Sequence, residues 1–379
     1  MRAALTAALC LCSLGTVSIA AQMAGAPPPA SVVAAPTAAP ITRAEGFSGP
    51  MGVAYDPVGD IFFVANAPQG GFSKTGSGFI SQLDINGRLR KLRWVGGLNS
   101  PKGMRVRDGR LYIADLAQIH VVNLEKGRID RSINLSGAYN ITDLAFDANG
   151  GIYAVDAGRD LMTGALYHVP FEGEYRLLTR SDRLLRPNSI ELVNGQLLVG
   201  SVLGGSSLLR LDGEGRFIDI QVYPIERFGR TEARSADGIS GVVLIRDSVL
   251  AVANMETGSI ALLDVAPVEV PDPVARIEQE AKRRGVEFAV VLEELYKKRN
   301  PGGRGLYGPT AADPRVFVTH GLKMPRKLAF DPKRSQIAVV EYERNSVALV
   351  PVAATVKPDK TDMRFGAAGL FPAPALAEK

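Results

Sequence analysis

Cysteine and histidine are scarce in this chain, and their scarcity excludes several chemistries. The only cysteines, Cys10 and Cys12, lie in an apolar segment close to the N-terminus. Once that segment is removed on export, the mature protein has no disulfide, no thiol nucleophile and no zinc–thiolate site. The chain has three histidines and neither a Gly-x-Ser-x-Gly nor a His-Glu-x-x-His motif, which argues against the hydrolases that carry those motifs.

A strong charge of one sign is also lacking. The formal net charge is +5, and the lysines and arginines are spread along the chain. This distribution predicts no nucleic-acid partner. No apolar run beyond the N-terminal region approaches the length that a bilayer requires, so we expect no membrane span in the mature chain.

The N-terminal residues have the composition of a secretory signal peptide. Arg2 supplies a positive charge, residues 3–17 are apolar, and residues 18–20 offer small side chains for cleavage. We therefore expect a signal peptide over 1–21 and a periplasmic or secreted protein. A membrane anchor is the alternative, but the apolar run is short and continues into a Pro/Ala-rich linker over 22–40.

A repeated pattern dominates the rest of the sequence. Each copy has an apolar segment, a polar turn and a second apolar segment that ends in a small or acidic residue; the copies span 49–66, 100–115, 141–156, 186–201, 236–254 and 324–341. A third apolar segment follows each pair, and the units recur about every 40–50 residues, as blades do. The pattern predicts an all-β fold, a six-bladed β-propeller over 41–352, with residues 41–48 completing the last blade.

One segment interrupts the repeat. Within residues 266–312, Asp272 and Pro273 form a helix start, and Phe288, Val291, Leu292 and Leu295 have helical spacing. We predict a helical hairpin inserted between blades five and six. Its apolar side either packs on the propeller or forms a surface for a protein partner. Residues 353–379 are predicted to be a C-terminal tail.

The repeat also predicts a ligand site. In a propeller the innermost strand of each blade starts beside the central channel, so equivalent positions form a ring around it. Alignment of the six copies places on this ring Met51, Lys102, Thr142, Asn188, Asp237 and Arg326. Convergent polar groups at a channel mouth are typical of ligand sites. We therefore expect Met51, Thr142, Asn188 and Arg326 to contact a small-molecule ligand.

The motifs GPMGVAYD, LNSPKGM, ITDLAFDANGGIYAVD, RPNSI and ADGIS resemble the gluconolactonase/regucalcin superfamily of six-bladed propellers, in particular its exported bacterial branch. The resemblance extends over residues 45–265 and is looser in the last unit. It implies a propeller that hydrolyses lactones and binds a divalent cation, often calcium, at the channel mouth.

The resemblance carries the family's metal ligands over to this chain only in part. Asn188 and Asp237 match two of the ligands, whereas Met51 and Thr142 replace a glutamate and an asparagine. Calcium prefers several oxygen ligands with negative charge, so the implied calcium site is degenerate. An ion pair between Arg326 and Asp237 would take the place of the metal.

Two functions remain open from the sequence. The first is a lactonase-like hydrolase in which Asp237 activates water, while Lys102 or a cation polarises the lactone carbonyl. The second is a non-catalytic propeller that binds a small anionic ligand at its basic ring or acts as an interaction scaffold. The site, and not the fold, decides between them.

Overall fold

Short antiparallel strands account for almost all regular structure in the computed structural model of this chain. The structure describes residues 40–160, 164–181, 184–203, 207–211, 217–221, 238–265, 281–287, 290–291 and 316–352. No helix among these residues is long and apolar enough to cross a membrane.

The described residues form six four-stranded antiparallel sheets, numbered here in chain order. The chain begins with β1 (Thr42–Ala44), which belongs to the sixth sheet. Sheet 1 contains β2 (Pro50–Asp56), β3 (Ile61–Asn66), β4 (Gly78–Asp84) and β5 (Leu89–Leu98). Sheet 2 contains β6 (Pro101–Arg107), β7 (Arg110–Asp115), β8 (Gln118–Asn123) and β9 (Arg128–Asn134). Sheet 3 contains β10 (Ile141–Phe146), β11 (Ile152–Asp156), β12 (Ala165–Val169) and β13 (Arg176–Arg180).

The second half of the chain repeats this arrangement. Sheet 4 contains β14 (Pro187–Val193), β15 (Gln196–Ser201), β16 (Ser207–Leu211) and β17 (Phe217–Gln221). Sheet 5 contains β18 (Ile239–Arg246), β19 (Val249–Asn254), β20 (Ser259–Asp264) and β21 (Val316–Thr319). Sheet 6 contains β22 (Pro325–Asp331), β23 (Gln336–Glu341) and β24 (Ser346–Pro351), with β1 as its fourth strand.

Tight turns join the first and second strands of each sheet. Asp108-Gly109 and Asn194-Gly195 both have positive φ at the two residues. This conformation matches the twist of a hairpin and favours Asn, Asp and Gly. The pairing of β6 with β7 and of β14 with β15 shows that the polar turns of these two copies each join two antiparallel strands.

The sheets are arranged around a common centre. Their first strands contact one another in the order β2, β6, β10, β14, β18 and β22, and β22 also contacts β2. Each of six hydrophobic clusters lies between two consecutive sheets, and one of them joins sheet 6 to sheet 1. This is a β-propeller, so the all-β propeller fold predicted from the repeats is confirmed.

Backbone-to-backbone packing brings neighbouring first strands close together. A Cβ on Gly52 would lie 1.9 Å from the carbonyl oxygen of Lys102, and a Cβ on Gly241 would lie 2.2 Å from that of Arg326. Neither position admits a side chain without a shift of the neighbouring strand. Two of the ring positions are therefore held by direct contact with a glycine of the preceding sheet.

The N-terminal strand closes the last sheet. β1 pairs antiparallel with β24, with Thr42 opposite Leu349. Arg43 on β1 also donates from Nε to Oε2 of the buried Glu341 at 2.7 Å. The strand lies within residues 41–48, which the sequence predicted to complete the last blade.

A buried polar residue ends the second strand of every sheet; these residues are Asn66, Asp115, Asp156, Ser201, Asn254 and Glu341. The carboxylate of Asp115 accepts hydrogen bonds from the backbone N–H groups of Asn99, at 2.8 Å, and of Ser100, at 2.6 Å. These groups lie in the segment that leads into the first strand of the same sheet. The contact therefore fixes the backbone just before the strand enters the channel.

Only a small part of the predicted insertion 266–312 is described. Residues 281–284 and 290–291 are helical, and Ala281, Val286 and Val291 pack together. The residues of the insertion other than 281–287 and 290–291 lie outside the described residues, as do 1–39 and 353–379. The helical hairpin, its partner surface, the signal peptide and the tail therefore stay predictions.

The contacts of Asp156 give a first testable prediction. Its carboxylate accepts hydrogen bonds from Tyr139 N, Asn140 N and Gly158 N at 3.1, 2.7 and 2.9 Å. A buried donor left without a partner costs about 1–3 kcal/mol. We expect Asp156→Ala to lower the free energy of unfolding by at least about 3 kcal/mol, measured by urea denaturation.

Asp84→Ala is the matched control. Asp84 also accepts two backbone hydrogen bonds, from Asn86 N and Arg88 N, but in a solvent-exposed turn where water replaces the lost acceptor. We expect it to cost much less than Asp156→Ala. Equal losses in the two variants would mean that the buried contact does not organise the sheet.

Candidate functional site

A cavity of about 290 Å³ lies where the first strands of five sheets begin, and we call it the axial cavity. Five of the six predicted ring residues line it; they are Met51, Lys102, Thr142, Asn188 and Arg326. Asp237, the sixth, lies outside the described residues. The structure thus brings together residues that are up to 275 positions apart in the sequence (326 − 51), and their roles toward a ligand stay predictions.

The strand register corrects the alignment of the fifth copy. In each sheet the pairing of the first and second strands shifts directly after the first residue of the first strand. The first residues of this shift are Met51, Lys102, Thr142, Asn188, Ser240 and Arg326, and in sheets 2 and 6 the shift extends to Gly103 and Lys327. Ser240, and not Asp237, therefore occupies the fifth equivalent position, and Asp237 precedes it by three residues. The sequence alignment matched a charged residue near the strand start, whereas the ring is defined by the irregularity in pairing.

Hydroxyl groups at two ring positions link neighbouring sheets. Thr142 donates from Oγ1 to Pro187 O at 2.8 Å, and Ser240 donates from Oγ to Pro325 O at 2.6 Å. Asn188 similarly donates from Nδ2 to Ser240 O at 2.7 Å. Because these donors are satisfied by backbone of the next sheet, their first role is to join the ring. The larger ring residues are therefore the ones whose polar groups are available to a ligand in the cavity.

Lys102 is the ring residue with the most unusual surroundings. Its side chain is buried, and Nζ donates to Ser100 O at 2.9 Å and to Ser100 Oγ at 3.0 Å. Burial lowers the pKa of Lys102 to about 7; Asp115 opposes this change, and the positive charges of Lys327 and Arg326 add to it. Protonated and neutral forms of this amine therefore coexist near neutral pH.

Arg326 contributes a guanidinium group to the same cavity. The group lies over the ring of Tyr342, 4.4 Å from its centroid, and its Nε is buried without a hydrogen-bond partner. Burial lowers the pKa of Arg326, but the group stays charged at any physiological pH. An unpartnered donor in a cavity wall is available to an acceptor atom of a ligand.

Sequence reasoning missed several residues of the cavity wall. Arg186 and Asn140 precede the first strands of their sheets, and Phe72 comes from the connection between β3 and β4. The guanidinium of Arg186 lies 5.6 Å from the centroid of the Phe72 ring. Asn140 is buried, and its Oδ1 accepts no hydrogen bond. Arg186 and Asn140 lie two residues before the ring members Asn188 and Thr142, so they occupy the same position of the repeat. An alignment that also compared this position would have identified both residues.

The described wall of the axial cavity is cationic. It contains Lys102, Arg186 and Arg326 and no carboxylate. Asp143, which accepts a hydrogen bond from Arg105 Nη1 at 3.2 Å, has its other oxygen 3.4 Å from Lys327 Nζ, and it is not part of the wall. Asp143 thus neutralises the buried cations Arg105 and Lys327 beside the cavity. No described carboxylate neutralises the cations of the wall itself.

The described donors do not fit a divalent cation. Of the two ligands carried over by the resemblance, only Asn188 is described, and it shares the wall with a thioether, Met51, and with three cationic side chains. The described residues contain no group of three His, Cys, Asp or Glu side chains that could hold a metal. Calcium requires several oxygen ligands and negative charge, so this wall is unsuited to it.

His120 and His168 lie outside the axial cavity. His120 on β8 contacts Asp115 through Nε2 at 3.2 Å and Ser132 Oγ through Nδ1 at 2.7 Å. His168 on β12 contacts Asp147 through Nε2 at 2.8 Å. Neither ring lines the axial cavity, and both residues lie within strands.

Known proteins with the same fold support the resemblance. No protein-family model and no curated protein matches the sequence. Among solved structures, a gluconolactonase from Xanthomonas campestris matches with a TM-score of 0.52 and 11% identity, over 82% of this chain and 88% of that one. A calcium-binding regucalcin from Agrobacterium tumefaciens matches with a TM-score of 0.50 and 13% identity, over 83% and 93% of the two chains. A luciferin-regenerating enzyme matches with a TM-score of 0.51 and 10% identity, over 85% and 98%.

These likenesses show that the chain shares the β-propeller fold of these proteins. The resemblance predicted from the sequence motifs is confirmed at the level of the fold. At 10 to 13% identity they carry no statement about the reaction or the ligand of this chain.

The electrostatics of the cavity predict the behaviour of Lys102. The positive charge of Arg326 lowers the pKa of Lys102, so its removal in Arg326→Met should raise that pKa above about 7. The pH dependence of reductive methylation at Lys102, followed by peptide mass spectrometry, measures the change. Arg128→Gln, a change of an exposed cation on β9, is the control and should leave the profile in place. An unchanged or lower pKa in Arg326→Met would show that the two side chains do not interact.

Proposed function

We propose that this protein is a six-bladed propeller whose axial cavity binds a small organic anion, such as a carboxylate of the sugar-acid type. The proposal is supported by one observation above the others. Lys102, Arg186 and Arg326 line one cavity of about 290 Å³, and no described carboxylate lines it with them. Burying several like charges is unfavourable unless a counter-charge neutralises them. A bound anion supplies that charge.

The unsatisfied polar atoms of the wall support the same ligand class. Arg326 Nε is a buried donor without a partner, and Asn140 Oδ1 is a buried acceptor without a partner. A ligand that carries both a carboxylate and a hydroxyl group satisfies the two atoms at once. The aromatic rings of Phe72 and Tyr342 give the wall an apolar component, which suits a carbon skeleton.

A lactonase-like hydrolase is the second candidate function. It is supported by the fold shared with a gluconolactonase and by the position of Lys102 in the cavity. Lactone hydrolysis releases a hydroxy acid, so a cationic wall stabilises the charge that develops on the reacting oxygen and on the product. In this version Asp237 activates the water and Lys102 polarises the carbonyl; both roles are proposals.

A calcium site at Asn188 and Asp237 is the less favoured alternative, because the described wall opposes a cation. Export to the periplasm or the medium is also a proposal, and it is based on the composition of residues 1–21. The export proposal is independent of the anion site, whereas the calcium site is an alternative to it.

Calorimetric titration tests the anion site. Purified protein without residues 1–21 should bind gluconate and not glucose, which has a similar size but no charge. Because protonated Lys102 attracts the anion, affinity should decrease as the pH rises through about 7, the pKa of the free amine. Arg326→Met should weaken binding at least about tenfold, the equivalent of 1.4 kcal/mol. Arg128→Gln should bind as the parent does.

Two results would contradict the proposal. Equal affinity for glucose and gluconate would show that charge does not select the ligand. Stoichiometric calcium binding that is lost in Asn188→Ala would show that the cavity is a cation site. Turnover in a parallel panel of lactones, lost in Lys102→Met, would favour the hydrolase over the binding protein.

A further inference from the structure

The hydrogen bonds of Lys102 show which side of its amine is free to contact a ligand. Nζ has two acceptors, Ser100 O and Ser100 Oγ. The hydroxyl hydrogen of Ser100 is itself donated to Gly70 O at 3.1 Å, so Ser100 Oγ is free to accept. Among the described residues Nζ has no further hydrogen-bond partner and no carboxylate within ion-pair distance.

This arrangement accommodates a neutral amine as well as a protonated one, and the neutral form is the nucleophile. A protonated lysine has three N–H donors to satisfy, whereas a neutral amine has two N–H groups and one lone pair. The two Ser100 acceptors use both N–H groups. The lone pair is then directed away from Ser100, and the side chain lines the axial cavity.

Lys327 provides the comparison within the same chain. It is also buried, but its Nζ lies 3.4 Å from Asp143 Oδ2, and it does not line the cavity. A neighbouring carboxylate favours the charged form of an amine. Of these two buried lysines, only Lys102 is placed to react with a cavity ligand.

We propose that Lys102 is a nucleophile that forms a reversible Schiff base with a small oxo acid bound in the axial cavity. The inference rests on the proposed anion site, because Arg326 and Arg186 would hold the carboxylate of the oxo acid while its carbonyl carbon faces Nζ. A desolvated lysine with cationic neighbours is the usual form of such a nucleophile.

The reaction is balanced without any other reagent. The lone pair of Nζ adds to the carbonyl carbon, and the carbonyl oxygen takes up a proton to give a carbinolamine. The carbon–oxygen bond then breaks and a carbon–nitrogen double bond forms. The oxygen leaves as water with the two hydrogens that came from the amine. Asn140 Oδ1, which lacks a donor, is available to the carbinolamine hydroxyl.

The charged groups around Lys102 determine how its reactivity changes with pH. Asp115 favours the protonated amine, while Lys327 and Arg326 favour the neutral one; Arg186 is a further cation of the same wall, and His120 contacts Asp115. Schiff-base formation should therefore increase as the pH rises through about 7. An exposed lysine would show this increase only near its ordinary pKa of about 10.4.

Trapping by reduction tests the proposal. Protein without residues 1–21 is incubated with pyruvate and sodium cyanoborohydride, and the modified lysines are identified by peptide mass spectrometry. We expect Lys102 to be modified in preference to every other lysine, including Lys327. Lys102→Met should lose this modification, and Arg326→Met should slow it at least about tenfold because the carboxylate is no longer held. Equal modification of Lys102 and exposed lysines such as Lys91 would overturn the proposal.

A parallel titration with lactate separates this inference from the proposed function. Lactate has the carboxylate of pyruvate but no carbonyl, so it binds the anion site without forming a Schiff base. If lactate binds and Lys102 is not trapped with pyruvate, the nucleophile is overturned and the anion site stands. If neither lactate nor gluconate binds, the proposed function itself is overturned. Thermal unfolding of each variant verifies that it is folded.

Discussion

A buried hydrogen-bonding contact recurs in the sheets and determines where the cavity side chains begin. In sheets 1, 2, 3 and 6 the polar residue that ends the second strand accepts a hydrogen bond from the backbone three residues before the ring position. Asn66 does so from Ser48, three residues before Met51, and Glu341 does so from Lys323, three residues before Arg326. The accepting side chains of Asn66 and Glu341 are fully buried, so loss of these contacts is costly and the strand starts are held relative to the channel.

In sheet 2 this contact also shapes the chemistry. Asp115 holds the N–H groups of Asn99 and Ser100, and Ser100 in turn supplies both acceptors of the Lys102 amine. The same carboxylate raises the pKa of Lys102, against the stronger effect of burial. One buried aspartate therefore positions the amine and moderates its charge. The ring member most suited to react depends on a residue that does not line the cavity.

The repeat carried most of the information about the fold. Each copy contains two apolar segments around a turn, and the copy at 49–66, for example, contains β2 and β3. The strand starts, and with them Met51, Lys102 and Arg326, could be located because hydrophobic spacing and turn chemistry are local properties of the sequence. The closing role of β1 followed from the missing strand in the last copy.

The site was less predictable, for two physical reasons. The fifth ring position is defined by a shift in strand pairing, which assigns it to Ser240, and such a shift leaves no mark in a hydrophobic pattern. Phe72 lines the cavity from the connection between β3 and β4, and the matching connections of other sheets contribute residues of different types, such as Val202 and Tyr342, so the repeat showed no common residue to choose. Side chains that come from irregular connections depend on tertiary contacts and not on local propensity.

The central claim of this account is that the axial cavity attracts anions and not cations. Anomalous diffraction from crystals grown with both selenate and calcium tests this most directly, because the two ions are distinguished in one experiment. We expect a selenate peak in the cavity, in contact with the guanidinium groups of Arg186 and Arg326, and no calcium beside Asn188. A calcium peak beside Asn188, with selenate absent from the cavity, would contradict it.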